Sequence, residues 1–374
     1  MFKNYKEEGI ISGIRNQHNI MFFVGNGFDI SVLKKYRNDG LISSYKKFFD
    51  FLSYKGVDEA NILYKRMQED KDQGKENWSD FENTLDELLR THISVNELEN
   101  ALKEMQMMFL LFLNEIVTPE ILLKLNVDTV KNQWTNKALS CFLGDLDRDE
   151  YEKMKFPETT DHYDMYNFLF VNFNYTSLLD DYMFLDKSQF DPHPHKSVDT
   201  NHKFYPDPNG FSKNGLNERT VWSSFLMLDI IHPHGYQSIP RSLLFGIETD
   251  ECQTDKAYKQ FTKSYWTQSN QKYKSYFDNA DLFIIYGSSI GMTDNWWWKQ
   301  IYDCLLKGKS ELIIYYHSDK AVEKDIVKQM FIQACKIEEI KDEEAIKERI
   351  YVVLYNDDIP KIMFTLRGNE NNVE

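Results

Sequence analysis

The sequence predicts an α/β protein with a parallel sheet, helices on both faces of the sheet and one large helical insertion. Short apolar runs without alternation, such as the run from Leu282 to Tyr286, indicate strands that are buried on both faces. Segments with apolar residues at three- and four-residue intervals follow several of these runs, as helices do between parallel strands. Between residues 42 and 159 the apolar spacing is mainly helical, which predicts the insertion.

The first strand is predicted at Met21 to Val24, after a short polar helix within residues 1–18. It runs into Gly25-Asn26-Gly27-Phe28, where two glycines allow positive φ and close approach of a ligand. A helix beginning here would direct N–H groups at an anion, so the loop is a candidate phosphate site. Position 30 is Ile, so the third glycine of the dinucleotide fingerprint is missing. A tight turn that uses glycine for geometry alone is the alternative.

Asp29 places a carboxylate in the first turn of that helix. It is either a favourable partner of the helix dipole or a functional carboxylate at the mouth of the sheet. The residues alone leave both interpretations open.

The helical insertion has its longest periodic segment between Phe81 and Val117. Residues 1–41 and 160–374 are predicted to form one nucleotide-binding α/β domain. Residues 42–159 are predicted to form an inserted helical domain or subdomain within it.

The later strands are predicted at the apolar runs 168–171, 228–231, 243–246, 282–286, 311–316 and 350–355. Helices are predicted over 295–306 and 321–335, and the first contains Trp296-Trp297-Trp298. Three consecutive helical positions point three ways, so these tryptophans are expected mainly in the core rather than stacked on a base. Residues 186–225 are rich in turn formers and aromatic residues, which predicts a long excursion with room for a hairpin.

Small polar residues and glycines follow four of the predicted strands. In parallel sheets ligands bind beyond the carboxyl ends of the strands. The candidates are Gly25, Asn26, Gly27 and Asp29; Asn174, Tyr175 and Thr176; His232, His234 and Gly235; and Gly287, Ser288, Ser289 and Asp294. Helix capping by Asn174 and turn formation by the two serines are the structural alternatives. The histidine pair lacks a third ligand at a recognisable spacing, so no metal is predicted.

Charge and cysteine pattern disfavour several classes of protein. The net charge is −15 and no dense Lys/Arg run occurs, which argues against nucleic-acid binding. The four cysteines lie far apart, as expected for thiols in a reducing cytoplasm. No apolar run is long enough for a bilayer, and the charged first residues contain no secretory apolar segment. We therefore expect a cytoplasmic protein without a membrane partner.

Four ordered sequence blocks carry a resemblance to a known family. They are VGNGFDIS (24–31), FNYTSLLDD (173–181), HPHG (232–235) with LLFGIE (243–248), and IIYGSSIGMTDNWW (284–297). A fifth, NWSDFENTLDELL (77–89), is a tryptophan-acidic helix signature. Together they resemble the AbiH family of bacterial phage abortive-infection proteins and, more distantly, the sirtuin-like group of NAD-binding folds. The resemblance implies a sirtuin-like, Rossmann-type sheet with NAD as substrate or ligand.

The resemblance also implies roles for single residues. Gly25-Asn26-Gly27 would lie against the pyrophosphate of NAD, Asn174 beside the nicotinamide ribose, and Gly287 with a following serine at the adenosine half. His234 would be the catalytic base or a ribose contact. The candidate catalytic residues are His234, Asn174 and Asp29. The candidate nucleotide-binding residues are Gly25, Asn26, Gly27, Phe28, Tyr175, Thr176, Gly235, Gly287, Ser288, Ser289 and Asp294.

The chain departs from the sirtuin pattern in three ways. Its glycine loop reads Gly-Asn-Gly-Phe-Asp instead of the Gly-Ala-Gly of sirtuins. The chain lacks the four-cysteine zinc module of sirtuin deacylases, which argues against protein deacylation. Its carboxylates Asp29, Glu82 and Asp294 have no simple role in the sirtuin scheme. If they meet at the pocket, they would bind a ribose or serve as acid and base for another nucleotide hydrolysis. Surface charge for Glu82 and helix capping for Asp294 are the alternatives.

Three functional hypotheses follow from the residues and the resemblance. The first is an anti-phage effector that hydrolyses the nicotinamide glycosidic bond of NAD, or a related nucleotide. The second is a non-catalytic nucleotide-binding sensor or effector that acts through a phage or host protein, with the insertion as its surface. A nuclease or phosphohydrolase is the third, which the acidic charge and missing metal signature disfavour. The sequence decides neither the trigger nor whether the protein forms a homo-oligomer.

Overall fold

The computed structural model describes residues 1–9, 11–75, 78–91, 93–186, 202–246, 259–291, 294–338 and 342–368, apart from the side chains of Ser264 and Tyr265. Its sheet contains β1 (Gln17–Val24), β2 (Met165–Asn172), β3 (His202–Phe204), β4 (Trp222–Ile231), β5 (Leu282–Tyr286), β6 (Glu311–His317) and β7 (Ile350–Tyr355). The spatial order is β3-β4-β2-β1-β5-β6-β7. Only the edge pair β3 and β4 is antiparallel among these strands.

The strand order reverses at β1. The chain first adds β2 and β4 on one side of β1, and then returns to add β5, β6 and β7 on the other side. The loops after β1 and β5 therefore flank the switch in strand order, where ligands of such sheets usually bind. The predicted α/β class with a mostly parallel sheet is confirmed.

The helices of the inserted region are α2 (Tyr45–Tyr54), α3 (Ile62–Asp72), α4 (Phe81–Leu89), α5 (Val95–Ile116), α6 (Pro119–Asn132), α7 (Trp134–Cys141) and α8 (Arg148–Lys153), which follow α1 (Gly27–Tyr36). Five of them begin at side-chain caps, Ser44, Asn61, Asp80, Thr118 and Asp147, which accept bonds from N–H groups of the first turn. The remaining helices are α9 (Leu178–Met183), α10 (Lys263–Thr267), α11 (Ser269–Lys272), α12 (Lys274–Phe277), α13 (Asn295–Leu306), α14 (Lys324–Ala334) and α15 (Glu343–Lys347).

Helices cover both faces of the sheet. Alternate strand residues point to opposite faces, so Phe22 and Phe170 join one core while Phe23 and Val171 join the other. The buried side chains of the insertion belong to the first core, together with those of the sheet. The insertion is thus the cover of one sheet face, and its existence as a separate domain at 42–159 stays a prediction.

Several elements lie where the sequence placed them, and two do not. The strands at 282–286 and 350–355 and the helix at 295–306 have their predicted bounds, and Trp297 and Trp298 are buried. The predicted helix within residues 1–18 is wrong: its described part forms turns, with positive φ at Gly9 and Gly13, and β1 begins at Gln17. The strand predicted at 243–246 is wrong. This run is irregular because its N–H and carbonyl groups bond to loop residues instead of to a neighbouring strand. The excursion does contain an antiparallel pair, while residues 187–201 lie outside the described residues.

Candidate functional site

Two glycine-bearing loops pack directly against each other at the switch in strand order. A Cβ atom on Gly25 would lie 2.7 Å from the carbonyl oxygen of Gly287. A Cβ atom on Gly27 would lie 2.7 Å from the Cα of Gly287, which itself has a φ of 65°. The contact between the β1–α1 and β5–α13 loops therefore requires all three glycines.

The same contact occupies backbone groups that a phosphate would otherwise bind. The Gly25 N–H donates to the Tyr286 carbonyl at 2.9 Å, and the Gly27 N–H donates to the Gly287 carbonyl at 2.8 Å. The Phe28 N–H donates back to the Gly25 carbonyl at 3.2 Å. Loop packing by itself accounts for the glycines, and phosphate binding by this loop stays a prediction.

The other residues at the rim also contact protein. The Asn26 side chain donates to the Ser43 carbonyl at 2.6 Å and accepts from the Ser43 hydroxyl at 2.5 Å. The Ser288 hydroxyl accepts the Ile290 N–H at 3.1 Å, which is a turn contact. Ser289 is exposed. Contacts of these residues with a nucleotide stay predictions.

A chain of four ionisable side chains lies beside these loops, and we call Glu82, Lys263, Asp294 and His234 the ionic chain. His234 Nε2 lies 3.3 Å from Asp294 Oδ1, and Lys263 Nζ lies 3.2 Å from the same oxygen. Lys263 Nζ also lies 2.9 Å from Glu82 Oε1 and 3.0 Å from Glu82 Oε2. The exposed fractions are only 4% for the Lys263 side chain, 6% for His234 and 9% for Glu82. The ionic chain joins α4, the loop after β4, the start of α10 and the loop before α13.

Burial and mutual charge set the protonation of the ionic chain. Burial disfavours the charged form of Lys263, but Asp294 and Glu82 raise its pKa above the ordinary value. Burial would raise the pKa of Asp294, but the charges of Lys263 and His234 outweigh burial and lower it. For Glu82, burial raises the pKa despite the opposing charge of Lys263. Lys263 and Asp294 therefore form a fixed ion pair, and Glu82 is the carboxylate whose charge is most easily changed.

Ring stacking, backbone hydrogen bonds and close packing fix the position of the loop that carries His234. The imidazole stacks on the Phe173 ring, with centroids 5.0 Å apart and planes at 20°. The His234 carbonyl accepts the Leu244 N–H at 2.8 Å, and the Leu244 carbonyl accepts the Tyr175 hydroxyl at 3.0 Å. Gly235 has a φ of 98°, and a Cβ atom there would lie 1.9 Å from the Ser242 carbonyl oxygen. The imidazole is thus positioned by both backbone and ring contacts.

Asp29 belongs to a different polar cluster. Its Oδ2 accepts the Thr176 hydroxyl at 2.7 Å, while its Oδ1 has no hydrogen-bond partner among the described residues. Only 1% of Asp29 is exposed. Burial raises the pKa of Asp29 to about 7, with Asp180 adding to the shift while the Thr176 bond and His232 oppose it. Asp29 therefore changes its charge near neutral pH.

Asn174 connects three strand-end loops. Its Nδ2 donates to the Gly25 carbonyl at 3.1 Å, and its N–H donates to Asn172 Oδ1 at 3.0 Å. Its carbonyl faces His232 Nδ1 at 3.4 Å, and His232 Nε2 contacts Asp180 Oδ1 at 3.0 Å. Because α9 begins after Ser177, Asn174 is not its N-cap, and that alternative is wrong.

The structure brings together some predicted residues and adds one that the sequence did not reveal. His234, Asp294 and Glu82 meet through Lys263, so the alternatives of surface charge and simple capping do not describe the two carboxylates. Asp29 has its described contact with Thr176 rather than with the ionic chain. Lys263 has no motif around it, and a lysine at the start of a short polar helix normally faces solvent.

Metal binding finds no support among the described residues. No group of three or more His, Cys, Asp or Glu side chains there is arranged to hold a metal ion. His232 and His234 take separate carboxylates, Asp180 and Asp294. In the same part of the chain, no helix combines the length and the apolar character needed to cross a membrane.

The fold and the site define a class of protein: a parallel α/β protein with a buried ionic site between its strand ends and a helical insertion. The model of the family described as "Bacteriophage abortive infection AbiH" matches residues 21–316. This match runs from β1 into β6 and includes the whole ionic chain. The chain therefore belongs to the AbiH family and is a phage abortive-infection protein. No match was found among the curated proteins.

Proposed function

We propose that the protein acts in abortive infection by hydrolysing the glycosidic bond between ribose and nicotinamide in NAD or a related nucleotide. The ionic chain at the carboxyl edge of the sheet is the observation that carries this proposal. Taking ions out of water is costly, and buried groups with shifted pKa values cluster at functional sites. The resemblance to sirtuin-like folds supplies the choice of nucleotide.

The reaction needs a proton acceptor and an oriented water. Nicotinamide leaves with the electrons of the glycosidic bond, and the ribose passes through an oxocarbenium-like state. Water then adds to the ribose carbon and gives a proton to Nδ1 of His234, whose Nε2 is held by Asp294. The carboxylate favours the imidazolium that forms. Asn174 donates from Nδ2 to the Gly25 carbonyl, so its Oδ1 is the atom that would accept a hydrogen bond from the water.

The net negative charge of the ionic chain would attract the cationic nicotinamide ring of NAD. With neutral His234, Glu82 and Asp294 oppose one ammonium group and leave a net negative charge. The nicotinamide ring of NAD is a cation before the bond breaks, so this charge attracts it. Burial raises the pKa of the Tyr45 and Tyr175 hydroxyls, and the charge of Glu82 raises both further. The Tyr175 ring lies beside the His234 imidazole, with centroids 6.4 Å apart, where it would add cation–π attraction.

Mass spectrometry of nicotinamide tests the proposal. NAD is incubated with wild type, His234→Ala and His162→Ala, each with and without extract from infected cells. His162 is an exposed histidine that precedes β2, at the opposite edge of the sheet, and is the matched control. We expect release by wild type and His162→Ala, and a loss of about 100-fold or more in His234→Ala. Absence of release by wild type under every condition would refute hydrolysis.

A non-catalytic nucleotide-binding effector is the second candidate. Deep burial of Lys263 and His234, together with the internal use of the Gly25 and Gly27 amides, favours it. A ligand that binds only the folded protein raises its Tm. A rise in Tm with NAD and no nicotinamide release would therefore select this candidate.

A further inference from the structure

We propose that α4 of the insertion sets how strongly His234 attracts a proton, through Glu82 and Lys263, so that displacement of α4 weakens His234 as a proton acceptor. The inference deepens the proposed function, on which the use of His234 as proton acceptor rests. The ionic contacts themselves do not depend on turnover. They can therefore be tested separately from hydrolysis.

His234 and Lys263 compete for one oxygen atom of Asp294. His234 Nε2 and Lys263 Nζ both approach Oδ1 of Asp294, at 3.3 Å and 3.2 Å. Glu82 offers Lys263 two further contacts, at 2.9 Å and 3.0 Å. Without Glu82, the Lys263 ammonium group would pair with Asp294 alone. Asp294 would then attract a protonated His234 less strongly.

Glu82, Lys263 and Asp294 together set the net charge that faces His234. With Glu82 ionised, the other three members carry two negative charges and one positive charge. Loss of Glu82 brings this sum to zero, whereas loss of Lys263 makes it doubly negative. Loss of both restores the original sum of one negative charge. In a dry site such differences act strongly on a neighbouring proton.

Helices α4 and α5 also contact the segment that holds the His234 backbone in place. The Phe81 ring of α4 packs on Phe245, with centroids 4.9 Å apart. Gln106 of α5 donates to the Leu243 carbonyl at 3.1 Å. Leu244, between these two residues, donates its N–H to the His234 carbonyl. Displacement of the insertion would therefore disturb His234 through the backbone as well as through charge.

NMR of the full-length protein with ¹⁵N-labelled histidine measures the effect directly. The chain has nine histidines, and His234 is assigned from the signals that disappear in His234→Ala. Spectra recorded between about pH 5 and pH 9 compare wild type, Glu82→Gln, Lys263→Met and the double variant, so that the ring nitrogen shifts of His234 are followed through its change of charge. Glu87→Gln is the matched control, because this α4 carboxylate pairs with Arg66 and Lys75 instead of Lys263.

The charge count predicts an order for the ring nitrogen shifts. Glu82→Gln moves His234 towards neutral imidazole, Lys263→Met moves it towards imidazolium, and the double variant returns it towards wild type. Glu87→Gln leaves it unchanged. Any other order overturns the inference, including identical spectra for wild type and Glu82→Gln. If Glu82→Gln does not fold, the opposite displacement in Lys263→Met and its reversal in the double variant still decide the question.

Turnover separates this inference from the proposed function. If wild type releases nicotinamide, Glu82→Gln should lower the rate about tenfold, because His234 attracts the transferred proton less strongly, while Glu87→Gln keeps the wild-type rate. If wild type releases none, the proposed function fails and the spectral order still tests the link between α4 and His234. An unchanged rate in Glu82→Gln would refute control of turnover by α4.

Discussion

Replacement of Asp29 by asparagine should change how the stability of the protein depends on pH. The carboxyl is 1% exposed, and burial raises its pKa from 3.8 to about 7. One pH unit corresponds to about 1.4 kcal/mol, so the difference between 3.8 and about 7 amounts to about 4 kcal/mol. This is a large share of the stability of a typical domain.

The sign follows from proton uptake. The folded carboxyl holds its proton more tightly than the unfolded one, so folding takes up a proton between about pH 4 and pH 7. The contribution of Asp29 to stability is therefore fully present below about pH 4 and is lost as the pH rises through about 7. In Asp29→Asn the amide oxygen still accepts the Thr176 hydroxyl, but the side chain cannot ionise. The variant should gain stability relative to wild type as the pH rises.

Urea unfolding of both proteins between pH 5 and pH 8 provides the measurement. The difference in unfolding free energy should change in favour of the variant by about 3 kcal/mol across this range. Asp319→Asn, which removes an exposed carboxylate, is the control and should show a nearly constant difference. A constant difference for Asp29→Asn as well would show that Asp29 is ionised throughout and would refute the argument.

Close packing, a buried acceptor and a buried amine give three further predictions. Gly27→Ala puts a Cβ 2.7 Å from the Gly287 Cα and should cost about 1–3 kcal/mol in urea unfolding, whereas Gly368→Ala, with 3.8 Å to its nearest neighbour, should be nearly neutral. Glu311→Gln weakens the acceptor of the Phe156 N–H at 2.8 Å and should cost about 1–3 kcal/mol; an unchanged Tm would contradict this. Burial lowers the pKa of Lys361 to about 8, so methylation of its amine should rise with a midpoint near pH 8, and a midpoint above pH 10 would contradict this.

Most of the apolar strands were predictable because burial on both faces of the sheet leaves an apolar run without alternation, although the run 243–246 shows that a loop can contain such a run as well. Leu282 to Tyr286 is such a run, and it has the same bounds in the structure as in the sequence. The start of β1 was not predictable, since His18 and Asn19 resemble a polar flank. His18 is buried because it contacts Asp164 at 2.9 Å, and Asn19 because its side chain donates to the Asn279 carbonyl at 2.8 Å. Partners this far along the chain leave no local pattern.

The candidate site was predictable in part for the same reason. Strand-end position alone pointed to His234 and Asp294, and these residues do meet. Lys263 follows no strand, and its burial depends on two carboxylates from other segments. Asp29 was assigned with the catalytic candidates, but the sequence could not show that its described contact is with Thr176 instead of the ionic chain.

The strand-end loops are joined into one continuous layer by their own backbone groups. Gly27 binds Gly287, Asn174 binds Gly25, and the Gln237 N–H donates to the Tyr175 carbonyl at 2.7 Å. These bonds connect the loops after β5, β1, β2 and β4 in that order. They bring the backbones of the loops after β1 and β5 so close that a Cβ atom on Gly25 or Gly27 would not fit. The insertion contacts this layer through side chains, as in the pairs Glu82 with Lys263, Phe81 with Phe245, Gln106 with Leu243 and Asn26 with Ser43. Since His234 and Asp294 belong to the layer while Glu82 does not, movement of the insertion can change the charge beside His234 without unfolding the sheet.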